Sequence, residues 1–442
     1  MGFGIAPISV ETDRFHELGA IKEKNAMSYS GLRVIREALN GQRGWKPAWR
    51  NPEPKPNYDI IVIGGGGHGL ATAHYLVTKY GEKSIAVVEK GWIGSGNAGR
   101  NTTIVRGDYT LPPNTRFYDH SVGLWEKMER ELNFNVMHSQ RGVLFLHHND
   151  AERDDHYRKT NIMRMQGTDG EILGPEKLRK MYPSMNFDGR FPITGAYLHR
   201  RGGTARHDAV VWGYARSADR RGVDILQNCE VTGFRIEQGK VLGIETTHGF
   251  IGAKKVGVSV AGNTSRVMDM AGIRTPIESH VLQAFVSEGL KPIIPGQVNY
   301  GAGHFYISQS DKGGLVMGGD LDQYNSCAQR GNLPVFESVI EAAVTLFPML
   351  SRARLLRAWG GLQDMTMDGH AVIDETPIKG LYLNGGWCYG GFKATPASGH
   401  TFAHLLATGT PHPTTIRHRL DRFRTGFGIM DEESTGAQHN LH

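Results

Sequence analysis

Gly64, Gly66 and Gly69 stand at the spacing G-x-G-x-x-G inside YDIIVIGGGGHGLATAHYLVTKYGEKSIAVVE, residues 58–89. Glycines so placed serve anion binding by bare backbone. The first permits a tight turn off a strand, the second lets a pyrophosphate approach the main chain, and the third lets a helix pack close to the sheet. Glu89 ends the unit with a carboxylate able to accept both ribose hydroxyls, and an acid rather than Arg there argues against a 2′-phosphate. The stretch that follows, KGWIGSGNAGRNTTIVRGDY, is a glycine-rich loop carrying Asn97 and closed by Arg106. Open α/β sheets bind their ligands at this carboxyl end of the strands.

The elements that must position these residues follow from hydrophobic spacing. Apolar runs at 60–63 and 85–88 predict short buried parallel strands. Between them the spacing predicts a helix over 67–80, with Leu70, Ala73 and Val77 on one face, its first N–H groups aimed at phosphates, and Gly81 as its stop. The pattern returns twice. One return has a helix over 208–218, hairpin strands at 231–236 and 241–246 around EQGK, and a strand over 256–260 running into Ala261-Gly262-Asn263. The other, LYLNGGWCYGGFKATPASG at 381–399, gives a strand, a glycine-rich turn and a proline before a helix over 401–406. Between these lie charged helices over 150–166 and 176–181, an apolar run at 142–146, strand-like stretches at 276–287 and 305–318, and a helix over 335–346.

The expected fold class is therefore α/β: a Rossmann-type FAD-binding domain built from discontinuous segments, with an inserted α+β substrate domain. Nucleotide-binding segments are placed at 58–110, 203–275 and 359–415, and substrate-domain segments at 111–202 and 276–358. An N-terminal arm and Pro-rich linker occupy 1–57, and a tail occupies 416–442. A nucleotide fold interrupted in this way points to a flavoprotein rather than a free-NAD dehydrogenase. In the arm, Leu32, Ile35 and Leu39 recur at helical spacing, and Trp45 and Trp49 precede the stiff proline run 51–56. Met27 is a candidate start.

Composition narrows the class. The chain has 442 residues, enough for two or three domains, with 39% hydrophobic and 21% charged residues. No apolar run reaches the ~18 residues of a membrane helix, and the charged N-terminus lacks a signal-peptide core. Cys229, Cys327 and Cys388 are scattered and form no C-x-x-C, so neither a disulfide framework nor a metal site is expected. The net charge of +6 is spread among acids, without a basic stripe for nucleic acid. These features point to a cytoplasmic, bacterial-style enzyme.

GGGGHG, EKGWIGSGNAGRNTTIVR, RRGGTARHDAVVWGYAR and GWCYGGFKATPASG together resemble the beta subunits of heterotetrameric sarcosine oxidases, over about 27–442. More broadly the chain is similar to the glycine oxidase-like flavin amine oxidases. The resemblance implies a noncovalent FAD, with its pyrophosphate on Gly64, Gly66, Gly67, His68 and Gly69 and its ribose on Glu89. Asn97, Arg100, Asn101, Thr102, Thr103 and Val231 are then expected along the rest of the cofactor. It also implies an FMN bonded covalently to His207, the histidine of TARHDA, with His280 and Lys393 nearby. Taken alone, a histidine before a helix is more often structural; the match in its surroundings reverses that reading. Partners are implied too: an alpha subunit binding NAD and folate, a gamma subunit, and a delta subunit binding zinc.

Arg106 and Lys393 match the positions that bind the carboxylate in sarcosine-oxidising relatives, and such a pair is chemically suited to that task. The bland reading of both is surface charge. The implied reaction is oxidative demethylation of sarcosine to glycine, the methyl group leaving as formaldehyde or passing to tetrahydrofolate, with peroxide formed from oxygen. Two alternatives stay open: another N-methyl amino acid, as in N-methylglutamate dehydrogenases, or a subunit that relays electrons without catalysis. Gln363 departs from the tyrosine of monomeric relatives.

Overall fold

Uninterrupted Ile and Val make Asn57–Ile63 a strand buried on both faces, which requires parallel neighbours on either side. A computed structural model of the chain provides them, and describes residues 31–43, 47–322 and 324–426. Met27, Trp45 and the tail beyond 426 lie outside the described residues. The chain forms two units, 1–48 and 49–442. In the first, the helix Gly31–Leu39 buries no residue. In the second, one sheet runs Val372–Glu375, Leu381–Gly385, Gly249–Val258, Asn57–Ile63, Ile85–Val88, Asp224–Leu226. All are parallel except the edge strand Val372–Glu375, and the hairpin Val231–Glu237 and Lys240–Thr246 extends from Gly249–Val258. Its strands come from three separated stretches, so the discontinuous α/β architecture expected from the sequence is present.

The helices Gly67–Lys79, His207–Asp219 and Gly391–Thr408 pack on this sheet, burying Leu70, Leu76, Val210, Tyr214, Phe402 and Leu406. A second sheet runs Leu355–Thr366, Ile277–Gly289, Gly314–Leu321, Phe305–Gln309, Gln297–Tyr300, Val143–His147, Gly195–His199, Glu171–Leu173. Its pairs are antiparallel apart from Gln297–Tyr300 with Val143–His147. The helix Leu333–Leu346 backs it, in a separate core with Phe285, Phe305, Ile307 and Phe347.

Three local readings differ. The last helix begins at Gly391, well before the expected 401, and contains Pro396. Pro396 is the sixth residue of that helix and cannot donate to the Phe392 carbonyl four residues back, and Gly391, read as part of the turn, is the first helical residue. The strand expected over 256–260 spans Gly249–Val258, and Ala261–Asn263 is a 3-10 turn. The helix Pro112–Leu132 was not foreseen. It opens on two prolines, which suit a first turn, ends at Asn133 in the left-handed region, and places Phe117, Trp125 and Met128 in the nucleotide-domain core.

Candidate active site

The strand Asn57–Ile63 ends at Gly64, whose φ of 112° only glycine adopts without strain. The chain then enters the helix Gly67–Lys79 with no side-chain cap at Gly66, so the first N–H groups of the helix await another acceptor. A Cβ on Gly66 would meet nothing nearer than Ala98 Cβ at 3.9 Å, whereas one on Gly69 would collide with the Gly64 carbonyl oxygen. Gly66 therefore borders open space, and Gly69 is where helix meets strand. Glu89 accepts from the N–H groups of Gly65 and Gly91, both at 2.8 Å, which fixes its carboxylate beside the turn. His68 sits between the Gly391 carbonyl (2.7 Å) and Ser398 Oγ (2.7 Å), and burial lowers its pKa to about 4, so the ring is neutral and joins the two helix starts.

The turn opens on a cavity of about 990 Å³ lined from both sheets, near the top of the ~300–1,000 Å³ range of ligand pockets. Gly64, Gly66, Gly67, His68, Glu89, Asn97, Arg100, Asn101, Thr102, Thr103 and Val231 all line it, as do Arg106, Lys393 and Gln363. Uncapped N–H groups, open space at Gly66 and a fixed carboxylate fit a dinucleotide such as FAD. The second sheet fastens the cofactor-side loop: Trp359 Nε1 donates to the Arg100 carbonyl at 2.7 Å, and Thr102 Oγ1 to Tyr306 Oη at 3.2 Å. Thr103, Ala261, His304 and Cys388 line the cavity with φ of 47 to 67°, and such strain concentrates at functional sites.

Three sequence candidates do not line it. Gly69 lies behind the turn. His207 begins the helix His207–Asp219 with its ring partly exposed; Nδ1 accepts from the Asp208 N–H at 2.6 Å, so its proton is on Nε2. The Asp208 carboxylate is clamped by Arg206 at 2.6 and 2.7 Å. His280, on Ile277–Gly289, donates from Nδ1 to the Asp322 carbonyl at 2.9 Å and has Nε2 3.2 Å from Glu278. Lys393, which does line it, shares the cavity with Arg106.

Arg106 and Lys393 are both buried, so neither is surface charge. Arg106 pairs with Asp108 at 2.7 Å, and Asp108 also pairs with Lys159 at 2.8 Å. Burial alone would raise the Asp108 pKa, but Arg106, Lys159 and His199 outweigh it and hold the carboxyl well below the usual range. Burial drives the Lys393 pKa well below that of a free lysine, and the Arg106 and Lys159 charges push the same way. Lys393 Nζ is 5.8 Å from the centre of the Tyr109 ring, which stacks on Tyr118 at 3.8 Å. The Lys393 carbonyl accepts from Ser121 Oγ (2.6 Å) and Trp125 Nε1 (2.9 Å), both on the unforeseen helix.

Sequence reasoning missed Asp108 and Lys159, which carried no motif, and Asp364. The last lines the cavity, accepts from the Gly386 N–H at 2.6 Å, and is raised to about 6 by burial.

The chain matches the FAD dependent oxidoreductase family over residues 59–405. It is 62% identical over 417 residues to the sarcosine oxidase subunit beta of Rhizobium meliloti (strain 1021), covering 94% of this chain and all of that one. It is 45% identical to the sarcosine oxidase subunit beta of Rhodobacter capsulatus, covering 93% and 99%. Among solved structures it resembles L-proline dehydrogenase from P. horikoshii, with a TM-score of 0.79 at 28% identity, covering 85% of this chain and 99% of that one. With the uncapped turn and the cavity in place, these likenesses settle the family: the chain is a member of the FAD dependent oxidoreductases, in the branch of the sarcosine oxidase beta subunits.

Proposed function

We propose that the chain oxidises the N-methyl group of sarcosine to yield glycine. The methyl carbon leaves as formaldehyde or passes to tetrahydrofolate as 5,10-methylenetetrahydrofolate, and dioxygen is reduced to hydrogen peroxide. The observation that carries this reading is the placement of two buried basic side chains, Arg106 and Lys393, in the same cavity as the uncapped glycine turn. The relatives named as sarcosine oxidase beta subunits support the substrate.

Gly64, Gly66, Gly67, His68 and Glu89 would hold the nucleotide part of FAD, with Asn97 to Thr103 along its remainder. Bound there, FAD supplies a two-electron acceptor for the methyl hydride. The chain's own residues bind and orient the amine. Arg106 offers the carboxylate a charge-assisted contact. An anion arriving beside Lys393 opposes the burial and repulsion that lower its pKa, and so favours the protonated Nζ. The Arg106 and Lys159 charges also disfavour a further cation, which favours the neutral amine over the ammonium.

By the same resemblance, His207 carries a covalent FMN through Nε2, the nitrogen that does not accept from Asp208. Alpha, gamma and delta subunits, binding NAD and folate on alpha and zinc on delta, complete a cytoplasmic assembly. Among the described residues no helix is long and apolar enough to cross a membrane.

A substrate comparison tests the reading. Purified complex mixed without oxygen with sarcosine or with N-methylglutamate should lose its visible flavin absorbance at far lower concentrations of sarcosine. Bleaching by N-methylglutamate alone would transfer the reading to another N-methyl amino acid.

A further inference from the structure

Asp108 is fully buried behind the cations that line the cavity, and oxidation of an amine does not by itself call for it. Its carboxylate contacts Arg106 at 2.7 Å and Lys159 at 2.8 Å. Lys159 comes from the helix Asp150–Met165 and lies over the Phe145 and Tyr197 rings, at 4.7 and 4.9 Å from their centres. His199 keeps partners of its own, the Gly107 N–H at Nε2 (3.1 Å) and the Asp169 carboxylate at Nδ1 (3.0 Å). Lys393 is driven towards its neutral form. Arg106 and Lys159 face the one Asp108 carboxylate, so this trio carries one cation in excess.

We propose that Asp108 is a positioning residue that occupies Lys159 and orients Arg106, so that the cavity matches one carboxylate and selects monocarboxylic over dicarboxylic amines. A second carboxylate brought into this buried space would find its nearest ammonium already paired, and an uncompensated buried anion is costly. Without the Asp108 charge, Lys159 becomes a partner for that second carboxylate. The proposal deepens the functional reading and rests on it only in taking the cavity as an amino-acid carboxylate site.

Four proteins make a charge series in the FAD-loaded complex: wild type, Asp108→Asn, Lys159→Met, and the double variant. Dissociation constants are read from flavin spectral perturbation and calorimetry with acetate and malonate, which are not oxidised, and then with sarcosine and iminodiacetate. Asp108→Asn should improve malonate relative to acetate by about tenfold or more, the scale of one buried charge contact. The double variant, back to one net charge, should return to the wild-type ratio, with flavin content unchanged throughout. If Asp108→Asn alone does not fold, the Lys159→Met background serves: adding Asp108→Asn to it should restore acetate binding by a similar factor. A ratio within about twofold of wild type in Asp108→Asn, or a double variant no better than Lys159→Met, overturns the proposal. Sarcosine bleaching with a flat series would sink the proposal and leave the functional reading. A clear series in a protein that sarcosine does not reduce would do the reverse.

Discussion

Lys393 and Asp364 line the same cavity and burial pushes both towards neutrality, one by lowering a lysine and the other by raising an acid to about 6. Their consequences differ. Because Lys393 is driven towards its uncharged form, Lys393→Met should leave folding stability little changed. The same variant should raise the half-saturating sarcosine concentration by a factor equivalent to about 2 to 5 kcal/mol, as steady-state kinetics would reveal. Equal sarcosine requirements in the two proteins would remove Lys393 from the substrate. Arg106→Met should differ by also losing about 3 kcal/mol of stability, since it strips a partner from buried Asp108. For Asp364 the sign is set by an acid more easily protonated in the folded state than in the unfolded one. The stability it contributes is full below 3.8 and is lost as pH rises through about 6. Wild type should therefore lose about 3 kcal/mol relative to Asp364→Asn across that window. Denaturant unfolding of the two proteins over the pH range checks this, and a pH-independent difference would contradict it.

At the scale of elements, the glycine turn was legible and the basic wall of the cavity was not. A turn that presents bare backbone leaves a fixed spacing, and the structure puts the strand end, the helix start and Glu89 where that spacing required them. Gly66→Val should therefore fold, given the room beside Gly66, and purify without FAD. A yellow variant with stoichiometric FAD would refute the turn's role. Arg106 and Lys393 were named by resemblance, but what positions them had no local signature. Helix Pro112–Leu132 does so by hydrogen-bonding the Lys393 carbonyl and stacking Tyr118 on Tyr109. Trp125→Phe removes one of those bonds and leaves the Ser121 bond. It should cost about 1 kcal/mol of stability and raise the sarcosine requirement without altering flavin content. Lys159 sits in a helix of mixed charge that reads as solvated surface, and only the approach of that helix to the second sheet buries it against Asp108.

At the scale of the whole molecule, three separated stretches rebuild one parallel sheet, and the chain between them builds the second. That interleaving was visible as a recurring nucleotide pattern. The register between sheets was not, because it depends on contacts such as Trp359 with the Arg100 carbonyl, which join distant parts of the chain. His207 lies outside the shared cavity, so a covalent FMN there would be a second, separate flavin. Acid-precipitated protein should keep FMN in the pellet while FAD washes out, and His207→Asn should release the FMN alone. All flavin in the wild-type supernatant would exclude the covalent bond. The central claim, that a carboxylate-bearing methylamine is oxidised beside FAD in this cavity, is tested most directly by titrating the oxygen-free protein with sarcosine and measuring flavin absorbance and glycine together. The expected result is complete bleaching of the FAD, with glycine formed mole for mole. A flavin that dithionite reduces but sarcosine leaves oxidised at every concentration would contradict it.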